Sequence, residues 1–167
     1  MGTYRQLVPF RLDDQRYALP LTCVERIVRS AALTPLPGSP EIILGLLNVR
    51  GEIIPAVKIR RRFRLPDRPL SPHDHFVIAR TSRRAVIFPV DAALGVLDYP
   101  EDEILASAAV APKLEYVSGI VRLKDGLILI HDPDTFFSLN EETTLARAIE
   151  AYRTKPTARG EEPGSSL

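Results

Sequence analysis

The sequence predicts a mostly β protein with two similar small subdomains of about five strands each. Three observations support this prediction. The chain has 15 prolines and nine glycines between short apolar runs, which favours many short elements over long helices. Paired apolar runs of strand length flank polar turns, which is typical of β-hairpins. The order of these features in the first half recurs in the second, which indicates two related units with a groove between them.

The composition limits the class of protein. A chain of 167 residues, 45% of them hydrophobic, can bury one sizeable core or two small linked cores. The 22 basic residues nearly balance the 21 acidic ones, so the molecule as a whole has no strong attraction for nucleic acid or anionic lipid. Cys23 is the only cysteine, which excludes an internal disulfide and suits a reducing cytoplasm. Residues 1–10 lack the apolar core of a secretory signal, so we expect a cytoplasmic protein that does not insert into a membrane.

The start of the chain predicts a hairpin. The apolar runs Leu7–Leu12 and Tyr17–Leu21 flank a polar turn. Val24, Ile27 and Val28 continue this unit, and their spacing fits a helical turn as well as a twisted strand.

The segment 41–63 changes its pattern halfway along. A rigid proline-rich connection precedes it, and a short apolar run after Pro40 and Glu41 predicts a helical turn. A turn at Arg50-Gly51 comes next, followed by a run rich in β-branched residues. The segment therefore predicts a helical turn that leads into a strand.

The second half predicts two further hairpins. Strands at Phe76–Ala79 and Ala85–Val90 flank a polar turn. The last hairpin turns at Lys124-Asp125-Gly126, which is a strong turn signal between two apolar runs.

The C-terminal part predicts one helix and a tail. Asn140 suits the N-cap of a helix over 141–153, and four residues fall on one face of it: Leu145, Ala148, Ile149 and Tyr152. Residues 154–167 have the composition of a disordered tail. The predicted organisation is a unit of two β subdomains over 1–139, the second at about 75–130, then the helix over 140–153 and the tail.

Two pairs of segments carry the internal repeat. Tyr17–Pro20 is echoed by Val86–Pro89, each a strand that ends at proline. Gly45–Ile54 is echoed by Gly119–Ile128, with a difference of one residue in the spacing of the glycines. The repeat predicts that these segments occupy equivalent places in the two subdomains.

The sequence offers no recognisable catalytic machinery. Ser118 and Ser138 lack a GxSxG setting, and the chain has no glycine-rich phosphate loop. One group of side chains has the chemistry of zinc ligands: His73, Asp74, His75, His131 and Asp132. In a strand, however, Asp74 would point away from its two neighbours, so we interpret the histidines as solvated turn residues. We expect no enzyme, no metal and no cofactor.

A dense basic cluster is the basis of an alternative function. It consists of Arg60, Arg61, Arg62, Arg64 and Arg68, with Phe63 among them. These guanidiniums and the aromatic ring could contact phosphates and stack a base, or bind an acidic protein surface. The near-neutral total charge argues against nucleic acid. The alternative is a module that binds nucleic acid or an acidic partner.

The segment Gly45–Val57, GLLNVRGEIIPAV, resembles the signature of CheW-type chemotaxis coupling proteins. The resemblance spans residues 5–139, with other motifs in the expected order: Tyr17–Pro20, Leu36-Pro37, Val86–Asp91 and Tyr116–Ile120. It implies two five-stranded SH3-like β-barrels without enzymatic activity. It also implies a cytoplasmic scaffold, recruited to membrane receptor arrays, that couples the cytoplasmic tips of methyl-accepting chemoreceptors to the regulatory domain of a CheA-type histidine kinase.

The resemblance further implies a partner-binding surface. Its residues in this chain are Val24, Ile27, Gly45, Asn48, Arg50, Gly51 and Ile53 in the first barrel, and Ile120 in the second. Apolar residues of the groove would supply burial, and Arg50 would supply a directional contact.

Two positions depart from the family pattern. Arg26 stands where the family has an acidic residue that could pair with Arg50, and Lys58 stands where it has aspartate. Glu25 is adjacent to Arg26, but in a regular strand it would face the other way. Both changes add positive charge near the implied surface, which predicts a partner of different charge from the usual one.

Overall fold

The computed structural model describes residues 2–106 and 117–154, and these form a mostly β protein. The strands are β1 Tyr4–Leu12, β2 Gln15–Pro20, β3 Val24–Arg29, β4 Ile43–Val49, β5 Glu52–Val57, β6 His75–Arg80, β7 Ala85–Val90, β8 Ala92–Ala93, β9 Leu97–Pro100, β10 Val117–Leu123 and β11 Gly126–His131. The α-helices are α1 Ile59–Arg62 and α2 Leu139–Thr154, and short 3₁₀ turns lie at Leu21–Cys23, Glu101–Glu103 and Pro133–Thr135. No helix in these ranges combines the length and the apolar character needed to cross a bilayer.

The strands form two sheets. One has the order β10-β11-β2-β1-β8, with β9 also paired to β1, and the other has the order β3-β6-β7-β5-β4. The prediction of a mostly β fold with two small β units and a C-terminal helix is confirmed. Neither strand path closes on itself within the described residues, so each unit is a sheet of five or six strands rather than a closed barrel.

The two sheets interleave along the chain. The hairpin β1–β2 joins the sheet of β8–β11, and the hairpin β6–β7 joins the sheet of β3–β5. The sequence interpretation placed the second subdomain at about 75–130, but the pairing of β6 and β7 with β3 and β5 contradicts that division. A strand pairs where its edge and apolar face fit, and neighbours in the sequence need not be neighbours in the sheet.

The internal repeat is confirmed at the level of strand register. Ala18 of β2 pairs in parallel with Ile130 of β11, and Ile87 of β7 pairs in parallel with Ala56 of β5. Ala18 and Ile87 hold the same position in the first echoed segment. Each half of the chain therefore contributes a hairpin that completes the sheet of the other half.

Three apolar clusters hold the fold together. The central cluster lies between the sheets and includes Phe10, Phe88, Phe136 and Leu145 of α2. A second cluster lies within the β3–β7 sheet around Phe76, and a third lies within the other sheet around Leu7, Ala18 and Val121. Since strands of both sheets and the C-terminal helix contribute to the central cluster, it joins the two units.

The segment that follows Pro40 is a strand and not a helical turn. β4 begins at Ile43 and pairs with β5, and the register shifts between Ile43 and Gly45 so that Leu44 is an extra residue in a bulge. A short apolar run fits a buried strand as well as a helix, and the tertiary pairing decided between them. The segment around Val24 and Ile27, which fitted both a helical turn and a strand, is the strand β3.

The C-terminal helix starts two residues earlier than predicted. The Ser138 hydroxyl accepts a hydrogen bond from the Glu141 backbone N–H at 3.1 Å, and the Glu141 carboxylate accepts one from the Ser138 N–H at 2.9 Å. This reciprocal pair is a capping box, so Ser138 and not Asn140 caps α2. The predicted apolar face is confirmed, because Leu145, Ala148 and Ile149 are buried in the central cluster.

His131 is buried in the core, and its interpretation as a solvated turn residue was wrong. Its ring lies 3.8 Å from that of Phe136 and 5.0 Å from that of Phe63, measured between centroids. His131 is the last residue of β11 and faces inward. The polar segment that follows it made a turn position the expected one. Burial lowers the pKa of His131 from 6.5 to about 3.

The buried His131 predicts a loss of stability in mild acid. Between pH 6.5 and 5 the unfolded chain becomes protonated at this site while the folded chain does not, so the free energy of unfolding should fall by about 1.5 kcal/mol as the pH is lowered. Urea denaturation across this range would measure the loss. The His131→Phe variant should not show it, and an equal slope in both proteins would contradict the assignment.

Candidate partner-binding surface

The tip of the β4–β5 hairpin is a locked two-residue turn. Arg50 and Gly51 have φ angles of 53° and 90°, and Val49 pairs with Glu52 across them. Two successive positive φ angles give the turn that matches the right-handed twist of a hairpin, and glycine adopts them at little cost. The Asn48 side-chain oxygen accepts a hydrogen bond from the Gly51 N–H at 2.8 Å. The Asn-x-Arg-Gly pattern thus fixes the backbone and projects Arg50 into solvent.

The Arg50 side chain is free to meet a partner. Among the described residues it makes no hydrogen bond or ion pair. The carboxylates of Glu25 in β3 and Glu52 in β5 both bind Arg80, whose Nε lies 2.5 Å from Glu25 and whose Nη2 lies 3.4 Å from Glu52. Arg80 therefore ties β3 to the hairpin tip and leaves Arg50 unneutralised.

The edge strand β3 presents an apolar and cationic face. The register of β3 against β6 shifts between Val24 and Arg26, so Glu25 is the extra residue of a bulge. Glu25, Arg26 and Ile27 are consequently all exposed, and Ile27 has 38% of its surface accessible. The expectation that Glu25 faces away from Arg26 assumed a regular strand, and the bulge removes that alternation.

Gly45 is a buried residue of β4, so its effect on this surface is indirect. A Cβ at this position would lie 2.8 Å from the Thr34 carbonyl oxygen and 3.0 Å from the Leu33 Cβ. The close approach allows Thr34 and Leu46 to exchange backbone hydrogen bonds of 2.9 and 2.7 Å. Val24 and Ile53 are partly buried and pack against the central cluster. The predicted first-barrel residues therefore divide into exposed residues, which are Ile27, Asn48, Arg50 and Gly51, and residues that are buried or partly buried.

Ile120 is a core residue and not a contact residue. Only 1% of its surface is accessible, and its backbone exchanges hydrogen bonds of 3.0 and 2.8 Å with Leu105. It is the counterpart of Leu46, which is also buried and makes the equivalent bridge to Thr34. The family resemblance could not separate a residue that supports a surface from one that a partner touches.

Four of the five arginines of the basic cluster form ion pairs within the chain. Arg60 binds Asp13 at 2.7 Å and Asp91 at 3.1 Å, and Arg61 binds Asp67 and Glu41, each at 3.2 Å. Three further ion pairs complete the pattern: Arg62 binds Glu141, and Arg68 binds Asp74 at 2.7 Å as well as Asp91. These side chains connect loops and helices of the body, so the cluster lacks the free charge that a nucleic-acid patch needs. Arg64 follows α1 in a left-handed backbone conformation, with a φ of 60°.

Asp91 is the centre of this network. Burial raises the pKa of its carboxyl, but the Asp13 N–H and the guanidiniums of Arg68 and Arg60 outweigh that effect, and the net pKa is lowered. Asp91 lies between β7 of one sheet and β8 of the other, and Asp13 lies in the β1–β2 turn. The network therefore links the two sheets. Asp74, one of the side chains with zinc-ligand chemistry, is engaged by Arg68.

The chain matches one family model and several known proteins. The CheW-like domain matches residues 6–141 of the chain. The chemotaxis protein CheW of Treponema pallidum is 28% identical over 147 residues, which cover 84% of this chain and 86% of that protein. The chemotaxis protein CheW of Thermotoga maritima is 29% identical over 145 residues, with 86% and 93% covered. The crystal structure of the scaffolding protein TtCheW from Thermoanaerobacter tengcongensis superimposes with a TM-score of 0.75 at 28% identity, over 84% of this chain and 96% of that one.

Proposed function

This chain belongs to the CheW-like domain family, and we propose that it couples the cytoplasmic tip of a methyl-accepting chemoreceptor to the regulatory domain of a CheA-type histidine kinase. Members of the family are non-enzymatic scaffold proteins, and the chain is a chemotaxis adaptor of this kind. As an adaptor it acts through its surfaces and has no chemistry of its own to perform. Coupling of this kind would take place in the cytoplasm, at the membrane receptor arrays.

The observation that carries the proposal is the exposed Arg50 on a rigid turn. A cation that is held in place and not neutralised within its own chain can form an ion pair with a partner at a low cost in ordering. Ile27 and the stem of Arg26 lie on the bulged edge strand and offer apolar area. This combination of a central arginine and apolar surroundings is typical of protein contact sites.

The charges of this surface favour an acidic partner. Arg26 and Arg50 both lack an ion-pair partner within the described part of the chain, while Glu25 and Glu52 are held by Arg80. We therefore expect carboxylates on the partner at the positions that meet these two guanidiniums. The nucleic-acid alternative has no comparable support, because four of the five arginines on which it depended form ion pairs within the chain.

Arg50→Ala should weaken binding to at least one of the two partners by about tenfold without loss of stability. An exposed charge contributes little to folding, so the free energy of unfolding should change by less than about 0.5 kcal/mol. Titration calorimetry with a purified receptor tip and with a purified CheA regulatory domain from the source organism would measure both affinities. Arg147→Ala, on the exposed side of α2, is the matched control and should bind as the wild type does.

Two results would count against this role for Arg50. Unchanged affinity of the Arg50→Ala variant for both partners would remove the residue from the contact surface. A large drop in melting temperature with normal binding would show that Arg50 stabilises the fold instead.

A further inference from the structure

A pocket lies beside the start of β4, far from the surface around Arg50. Leu44 at one end of β4 lines it, and Arg50 follows the other end; six residues of strand separate the two positions by about 20 Å. We call this space, between β4, α1 and the loop before β6, the Lys58 pocket. The coupling proposal assigns this pocket no role, and Lys58, which was expected near the partner-binding surface, lines the pocket instead.

The inner wall of the Lys58 pocket is apolar. It consists of Leu44, Val57, Ile59, Leu70 and Pro89. Val57, Ile59 and Pro89 are buried, whereas Leu44 is 38% exposed because it is the extra residue of the β4 bulge. The pocket has a volume of about 190 Å³. An apolar cavity of about 150 Å³ holds a benzene molecule, so this one has room for a single large apolar side chain.

The charged rim is balanced except at one position. Arg60 and Arg68 are engaged by the carboxylates of Asp74 and Asp91, and Asp67 binds Arg61. These ion pairs also hold the rim in place, since Asp74 accepts from both terminal nitrogens of Arg68. Pairs of this kind are already satisfied and attract a ligand only weakly.

Lys58 is the rim residue with an uncompensated charge. It is half-buried, and its ammonium forms no hydrogen bond or ion pair with any described residue. An ammonium without a partner at the rim of an apolar pocket favours a carboxylate that arrives with the ligand. The ligand chemistry is thus defined by an apolar volume with a cation at its edge.

We propose that the Lys58 pocket docks a segment of a protein partner in which a large apolar side chain is followed by an acidic residue. The apolar side chain fills the space between Leu44, Leu70 and Pro89, and the carboxylate pairs with Lys58. Leu44 is 38% exposed, so a side chain of a partner can reach the apolar wall of the pocket on this side. This contact is separate from the one proposed around Arg50.

Short peptides test this proposal directly. We would titrate the full chain, labelled with ¹⁵N, with acetyl-Gly-Phe-Glu-Gly-amide and follow the backbone amide shifts. Saturable shifts are expected at Leu44, Lys58 and Leu70. Replacing the peptide's phenylalanine by alanine should weaken binding by at least about tenfold, since the apolar burial is lost. Replacing its glutamate by lysine should weaken binding by about threefold, because a partly exposed ion pair contributes only a small part of the binding free energy.

Variants of the chain separate the charge effect from the pocket itself. Lys58→Glu should reverse the preference between the glutamate and lysine peptides, and Lys58→Met should abolish the preference while retaining the apolar contact. The amide spectrum shows at once that each variant is folded. Arg50→Ala should bind the peptides as the wild type does, so a failure of the coupling proposal leaves this one intact. Equal affinity of the wild type for all three peptides, shifts confined to other surfaces, or the absence of saturable shifts would overturn it.

Discussion

Gly45→Asp is expected to destabilise the chain by more than about 3 kcal/mol. The new Cβ would lie 2.8 Å from the Thr34 carbonyl oxygen, so the backbone of one segment must move away from the other. That movement breaks the two hydrogen bonds between Thr34 and Leu46. It also leaves a carboxylate in a buried site, where its negative charge is repelled by the partial negative charge of the Thr34 carbonyl oxygen. Urea denaturation followed by circular dichroism would measure the loss.

Asn48→Asp is the matched control for this substitution. It adds the same charge to the same strand, but at an exposed position, and its carboxylate can still accept the hydrogen bond from the Gly51 N–H. We expect a change of less than about 0.5 kcal/mol. If Gly45→Asp and Asn48→Asp unfolded at the same urea concentration, the close approach of Thr34 to β4 would not be a requirement of the fold.

Phe136→Ala is expected to cost about 3–5 kcal/mol, because it removes a large side chain from the centre of the molecule. Phe136 is fully buried, and its ring lies 4.4 Å from that of Phe88 and 3.8 Å from that of His131, between centroids. Phe88 belongs to one sheet and His131 to the other, and α2 begins three residues after Phe136. The cavity therefore opens where both sheets and the C-terminal helix meet.

Leu139→Ala provides the comparison for Phe136→Ala. Leu139 is three residues away at the start of α2 and is 74% exposed, so its truncation should be nearly neutral. Thermal unfolding monitored at 222 nm would rank the two variants. A Phe136→Ala protein as stable as Leu139→Ala would mean that the central cluster does not join the sheets and the helix.

The hairpins were predictable from the sequence because each is a local feature. The turn at Lys124-Asp125-Gly126 and the polar turn after β6 lie between apolar runs, and no distant residue is needed to specify them. The partners of those hairpins were not predictable in the same way. The parallel pairs between β2 and β11 and between β5 and β7 join residues far apart in the chain, and the apolar pattern alone fits several such pairings.

The internal repeat was the one sequence signal of long-range order. It correctly matched Ala18 with Ile87 as equivalent residues. It did not predict that each half contributes a hairpin to the sheet of the other half. The resemblance to a family supplied the fold that composition could not. It could not distinguish Ile120, which is buried, from Ile27, which is exposed, because both are apolar residues in strands.

The ion pairs were the least predictable part of the structure. The arginines from Arg60 onward appeared in the sequence as a run of one sign, and their acidic partners Asp13, Asp91 and Glu141 are distant along the chain. Only the fold brings them together. The same is true of Arg80, which a local interpretation assigned to a turn and which binds the carboxylates of Glu25 and Glu52.

Coupling requires that the chain hold both partners at once, and sedimentation velocity tests this most directly. The full chain would be mixed with a purified receptor tip and a purified CheA regulatory domain, each in excess, and compared with the three pairwise mixtures. The proposed function predicts a species that contains all three components and sediments faster than either binary complex with the chain. If the chain bound neither partner, or if one partner displaced the other, the coupling function would be contradicted.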